Sequence, residues 1–160
     1  MRSFLQGRVG LTAKLLLLSL AVLGVLPSGC SQGGIIEGEV HYKIVTGMKD
    51  LLYVVIATNA PTDGAPSITV GDEVAEEEIK SCFPSEGNLV VDNSSEMQIE
   101  RFYTRVYYVV SIHVMSGNNY KYYEACRTSR EIFNELPMGA RVKVETQHSD
   151  IGPSIIRIVE

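Results

Sequence analysis

Histidine is scarce in this chain of 160 residues, and its three copies, His41, His113 and His148, are widely separated. No two stand in the H-x-H or H-x-x-x-H spacing that sets two imidazoles on one metal, so no metal site is expected. There is no G-x-S-x-G turn for a nucleophilic serine and no glycine loop to cradle a phosphate. A dinucleotide glycine fingerprint and a C-x-x-C pair are missing as well. No catalytic residue and no cofactor is therefore expected. Internal repeats and low-complexity tracts are lacking too.

Basic residues are in short supply. Three of the 14 Lys and Arg (Arg2, Arg8, Lys14) precede Cys30 and none of the 19 Asp and Glu does, so 11 cations face 19 anions in the rest, a net charge of −8. A surface that acidic is repelled by phosphate backbones, which nucleic-acid binders neutralise with basic patches; nucleic acid is excluded as a partner. The same charge disfavours docking onto anionic lipid by electrostatics alone.

A long apolar run is missing too. The longest, Leu15–Leu26, has twelve positions and would rise only about 18 Å as a helix, against roughly 30 Å of hydrocarbon. It follows a basic start and ends in Pro27, Ser28 and Gly29 before Cys30, the order of a secretory signal peptide over residues 1–29. From Leu26 to Cys30 the segment Leu26-Pro27-Ser28-Gly29-Cys30 resembles the lipobox of bacterial lipoproteins. That resemblance implies cleavage before Cys30, acylation of its sulfur, and attachment to membrane lipid through it. Each buried methylene contributes roughly 0.8 kcal/mol, so two or three acyl chains hold a protein where one would not. Ser31, next to that Cys, is similar to what outer-membrane lipoproteins of two-membrane bacteria carry, which implies an outer-membrane address facing the periplasm in such a host. The other reading of these residues is an ordinary cleaved leader with Cys30 as a chance thiol.

With Cys30 lipidated, Cys82 and Cys126 remain as a pair in an oxidising compartment, where a disulfide is expected. Closing that 45-residue loop would contribute on the order of 3–4 kcal/mol. The alternatives are two buried free thiols, or a reactive cysteine near His113.

Residues 30–34 form a short tether and 35–160 one domain, large enough for a single core. Ile35–Val45 alternates, with Glu37, Glu39, His41 and Lys43 on one face and Ile36, Val40, Tyr42 and Ile44 on the other, a half-buried strand in which Gly38 suggests a bulge or close backbone approach. Leu51–Thr58 is near-continuously apolar and predicts a deeply buried strand. Asn59 to Glu96 is the least regular part: a loop over Asn59–Pro66, a short strand at Ile68–Val70, a brief acidic helix over Asp72–Ser81 with Glu76 and Lys80 four apart, and a turn-rich stretch to Ser95. Asp72, Glu73, Glu76, Glu77 and Glu78 are carboxylates of the kind calcium takes, but the spacing matches no calcium loop and the run reads as a solvated helix face.

The strongest strand signal is Arg105–Met115, with Val106, Tyr108, Val110, Ile112 and Val114 on one face. Ser116–Asn119 supplies a turn and Tyr120–Cys126 the returning strand. Thr128-x-x-Glu131 is a capping-box pattern ahead of a two-turn helix with Ile132, Phe133 and Leu136 on one side, stopped by Pro137 and Gly139. Arg141–Thr146 and Ile155–Val159 close the chain as strands. The element order resembles the OB-fold, which implies a mainly β, small five-stranded barrel with one short helix and an inserted irregular segment; a β-sandwich is the alternative.

Tyr103, Tyr107, Tyr108, Tyr120, Tyr122 and Tyr123 crowd the hairpin and its approach. Tyr offers a flat apolar body with a polar tip, and Tyr107, Tyr120, Tyr122 and Tyr123 are the candidate interaction surface; the plainer reading is half-buried strand formers. The expectation is a membrane-anchored envelope lipoprotein whose β domain binds another envelope protein or polymer without catalysis. Alternatives are a small tethered thiol- or hydrolase-type enzyme and a structural or stress-related lipoprotein.

Overall fold

A computed structural model of the chain describes residues 33–61, 66–71, 74, 77–83, 87–115 and 121–160. The expected leader (residues 1–29), Cys30 and Tyr120 lie outside the described residues, as do the turn expected at Ser116–Asn119, Asp72, Glu73 and Glu76.

One long strand, β1 (Gly34–Lys49), runs through the whole sheet. Its alternation holds as far as Val40, with Glu37 and Glu39 exposed and Gly38 and Val40 buried. There the register against β4 (Arg105–Met115) shifts, Val40 facing Ile112 but Tyr42 facing Ser111. The extra residue is His41, and one inserted residue moves every later side chain to the opposite face. Lys43, expected in solvent, is therefore fully buried, and Tyr42, expected inside, is exposed. Gly38 makes the close approach its sequence position suggested: a side chain there would collide with the backbone carbonyl of His113.

From β1 the chain turns into β2 (Leu52–Ala60) and the short β3 (Ser67–Val70). Two helices follow, α1 (Glu77–Lys80) and α2 (Asn93–Glu100), then β4, β5 (Lys121–Thr128), α3 (Arg130–Glu135), β6 (Arg141–Ser149) and β7 (Gly152–Ile158). The protein is mainly β. Its seven strands form one sheet in the order β3-β2-β1-β4-β5-β7-β6, and β6 also pairs back onto the first residues of β1. Hydrogen bonds thus run round a ring of five strands, β1, β4, β5, β7 and β6, with β2 and β3 as a flange. The ring's weakest seam is β5–β7, one parallel bridge at Arg127 and Ser154.

The inner face of β4 is the predicted one, with Tyr108, Val110, Ile112 and Val114 buried. Phe133 of α3 and Leu136 just after it close on the same core, as does Val144 of β6. β2 departs from expectation: only its second half is buried, while Leu52, Tyr53 and Val55 stand in solvent. An apolar run shows that burial is affordable but not that anything covers it.

Helix α2 was not legible as a helix, because its apolar content is thin. Its start is set by Asp92, whose carboxylate accepts from the Ser95 amide at 2.7 Å. The cap of α3 is Ser129 rather than Thr128, its hydroxyl accepting from the Ile132 amide at 3.3 Å. In α1, Lys80 pairs with Glu77 at 2.9 Å, one residue nearer than the expected Glu76.

The expected disulfide is absent: Cys82 and Cys126 are both free. Cys126 points from β5 into the ring's core, opposite Val110. Cys82 sits in the inserted segment after α1, donating to the Glu78 carbonyl at 3.3 Å and to Gln98 Oε1 at 2.8 Å. Sequence spacing permitted the bond; the two thiols belong to different layers of the fold, and a disulfide needs Cα atoms within about 7 Å.

Candidate binding face

Because the register of four adjacent strands, β2, β1, β4 and β5, is fixed by the buried side, their outer side is fixed with it. Along β4 it carries Arg105, Tyr107, Val109, Ser111 and His113, and along β5 Arg127, Ala125 and Tyr123. Thr46 of β1 stands opposite Tyr107, and Tyr53 of β2 stands opposite Met48 of β1.

Two aromatic groups occupy this face. In one, His113 and Tyr123 stack with ring centroids 4.8 Å apart and planes 19° from parallel. His41 adds its ring 4.9 Å from Tyr123 and 6.1 Å from His113, and meets Tyr42 edge-on at 4.5 Å. In the other, Tyr53 and Tyr107 lie 5.6 Å apart, and the Arg127 guanidinium covers the Tyr107 ring at 4.7 Å. Such offset and tilted contacts lock ring orientation. The six steps from Tyr107 to His113 place the groups about 20 Å apart along β4. Between them lie Val109, Ser111 and Ala125, short side chains that leave the middle of the face low.

Electrostatics differ at the two ends. Arg105 hydrogen-bonds the Tyr107 hydroxyl and draws its pKa below the usual phenol range, and a hydrogen bond with Tyr53 acts in the same direction. With Arg105 and Arg127 adjacent, that end is cationic on an otherwise acidic chain. Among the described residues no group of three or more His, Cys, Asp or Glu is gathered that could hold a metal ion.

Of the four tyrosines predicted as an interaction surface, Tyr107 and Tyr123 lie on this face. Tyr122 is exposed but belongs to the opposite side of β5, facing Val114 across the ladder. Sequence reasoning missed Tyr53, His41 and His113. The histidines look remote in the chain, and only the β1–β4 pairing with its extra residue brings them together. The signal within reach was the hairpin: because β5 begins at Lys121, Tyr123 and not Tyr122 stands opposite His113.

A second concavity, a cleft of about 410 Å³, lies between α2 and α3 and is lined by Asp92, Ser94, Arg130, Glu131 and Asn134. Its polar groups are already engaged. Asn134 exchanges two 2.9 Å hydrogen bonds with the Val91 backbone, and Arg130 pairs with Glu96 at 2.7 Å and Glu131 at 3.4 Å. Glu96 also accepts from the Tyr108 hydroxyl at 2.5 Å, and burial with that carboxylate pushes the Tyr108 pKa far up. This network ties the inserted segment to the ring; it pairs no nucleophile with a base. The thiol reading does not find Cys126 beside His113. Cys126 faces the core, its pKa pushed up to about 12 by burial, whereas His113 is on the outer face.

Among the described residues no helix is long and apolar enough to cross a membrane. Compared with known proteins, the chain matches no family model, no curated protein and no solved structure.

Proposed function

We propose that the protein is a cell-envelope lipoprotein, tethered by acyl chains on Cys30, whose β domain binds another envelope component without catalysis. The observation that carries the binding role is the outer face of β2, β1, β4 and β5. Its Tyr123 and Tyr53 rings are 57% and 60% exposed, yet each is braced by a stacked or tilted neighbour. Rings held in place before contact lose little freedom on binding, and exposed Tyr and Arg are the side chains that dominate interfaces.

The ring of strands is, on this reading, a small barrel of OB type. In favour stand its five members, the return of β6 onto β1, and α3 between the ring's third and fourth strands, with β2, β3, α1 and α2 as the insertion. The strand face of such barrels is a common ligand surface. The partner is a protein or neutral polymer, since net acidity works against nucleic acid. In a two-membrane host the address is the outer membrane, facing the periplasm. Because β1 starts four residues after Cys30, the tether is at most about 14 Å.

Two measurements test this. Fatty-acid analogue labelling of the wild type and Cys30→Ala should mark only the former. A photo-cross-linking residue at Tyr123 in intact cells should yield an adduct heavier than the monomer; label in both proteins, or monomer alone, removes the proposal.

A further inference from the structure

Arg105 and Tyr107 are two apart on β4 and so share its outer side, and Arg127 stands opposite Val109 on β5, diagonal to Tyr107. Both guanidiniums converge on that one phenol. Arg105 hydrogen-bonds the Tyr107 hydroxyl, and Arg127 lies over the ring, 4.7 Å from its centroid. Tyr53 closes the group from β2, its ring 5.6 Å from that of Tyr107 and its hydroxyl bonded to the Tyr107 oxygen.

What this group lacks is a carboxylate. Among the described residues Arg101 pairs with Glu78, Arg130 with Glu96 and Arg157 with Glu145, but neither Arg105 nor Arg127 makes an ion pair. The ionisable groups that bear on Arg105 and Tyr107 are each other, Tyr53 and Arg127, with no acid among them. In a chain with 19 acidic residues against 14 basic ones, a carboxylate-free pair of guanidiniums is the reverse of what composition favours. Their donors are not used up. A guanidinium carries five N–H groups in a planar fork, and a phenol oxygen takes up few of them. Arg105 and Tyr53 both direct a donor to the Tyr107 oxygen, which leaves the Tyr107 O–H to donate to a further acceptor.

We infer that Arg105, Arg127 and the hydroxyls of Tyr107 and Tyr53 form a subsite for a single oxyanion, a carboxylate or a phosphate, borne by the partner that binds this face. The subsite presupposes that the outer face is the binding surface, and it fixes what the partner must carry at one end. Chemistry selects the ligand. The arginine fork matches two oxygens of a carboxylate or phosphate, and an ionised acceptor makes hydrogen bonds about twice as strong as a neutral one. A polyanion is disfavoured, since anions outnumber cations 19 to 11 beyond Cys30 while two guanidiniums are gathered here. Six steps along β4 the His113–Tyr123 stack offers flat ring faces, so a ligand about 20 Å long meets the anion site at one end and stacked rings at the other. Arg105 stands opposite Met48, fourteen residues along β1 from Gly34. The subsite is therefore at the far end of that strand from the tether, which sets it apart from the headgroups of an anchoring bilayer.

NMR of the arginine Nε–Hε groups tests the subsite, using the full chain in nonionic micelles with nitrogen-15 in its arginines. Sodium acetate and inorganic phosphate are titrated at fixed pH and ionic strength, with sodium chloride as the baseline. A saturating shift of the Arg105 and Arg127 signals is expected, with Arg157, already held by Glu145, unmoved. Arg105→Gln and Arg127→Gln should each weaken binding about tenfold or more, and Arg127→Lys, which keeps the charge but not the fork, about threefold or more. Should a variant fail to fold, the wild-type titration decides by itself. A linear drift like that with chloride, an equal shift at Arg157, or binding indifferent to both glutamine variants would overturn the subsite. So would Arg127-dependent binding to phosphatidylglycerol vesicles in place of the free anions, because the anion would then be a headgroup. A cross-linked adduct at Tyr123 without anion binding sinks the subsite and leaves the face standing; anion binding without an adduct does the reverse.

Discussion

Tyr123 lies nearly flat on His113, 4.8 Å between ring centroids, while its neighbour Tyr122 turns to the other side of the same strand. That one-residue difference makes a sharp prediction. Tyr123→Ala should lower partner capture at the outer face about tenfold or more, the scale of an interface aromatic, while Tyr122→Ala should leave it within about twofold. Quantifying the photo-cross-linked adduct with the probe at Tyr53 decides it; equal losses would mean the face is not the surface in use.

Lys43 is buried in the ring with Nζ 4.2 Å over the Phe133 ring and no hydrogen-bond acceptor among the described residues. Burial lowers its pKa to about 8. The folded state thus releases the proton more readily than the unfolded chain, so the stabilising contribution is full above the unfolded value near 10.5 and is lost as pH falls through about 8. Lys43→Met removes the charge and keeps the length. It should be more stable than wild type at pH 7 by about 2–3 kcal/mol, with the advantage shrinking towards pH 10.5. Urea midpoints at pH 7, 9 and 10.5 measure it.

Arg130→Ala strips the partner from a half-buried Glu96 that also holds the Tyr108 hydroxyl. It should cost about 2–3 kcal/mol, and Tyr108→Phe about 1–2, both read as denaturant midpoints. The pair together should cost less than the sum, because they share one carboxylate.

Thiol reactivity separates the cysteines. In the folded protein Cys126 should resist alkylation, being buried with its pKa pushed up to about 12, whereas Cys82, half-buried between α1 and α2, should react first. After denaturation without reductant both should titrate as free thiols. A mass two hydrogens lower would restore the disulfide.

At the hairpin tip, Leu51→Gly should stabilise the chain by about 1 kcal/mol, since φ of 66° strains any side chain there. Thermal unfolding of the variant against wild type is the check.

Most strands were legible because their signal is local. Arg105–Met115 shows which side of β4 is buried through its own Val and Ile spacing, and Val142 and Val144 do the same for β6. Ser129 displaced Thr128 as a cap by one position, the usual margin of helix ends. Helix α2 escaped because Asp92 and Ile99 alone mark it; its stability comes from packing beneath α1 and β4, which no eight-residue window records. Lys43 escaped for a sharper reason: the alternation that exposes it in the sequence is cut by one extra residue at His41, and that residue is extra only with respect to β4.

By itself the sequence determined the acidic balance and the strands whose alternating side chains carry their own burial code. Tertiary structure alone decided that His41, His113 and Tyr123 meet, that Cys82 and Cys126 do not, that Lys43 goes inside, and that the apolar start of β2 stays bare. Register between strands distant in the chain is set by the summed fit of many side chains, and a single inserted residue reverses which of them face out.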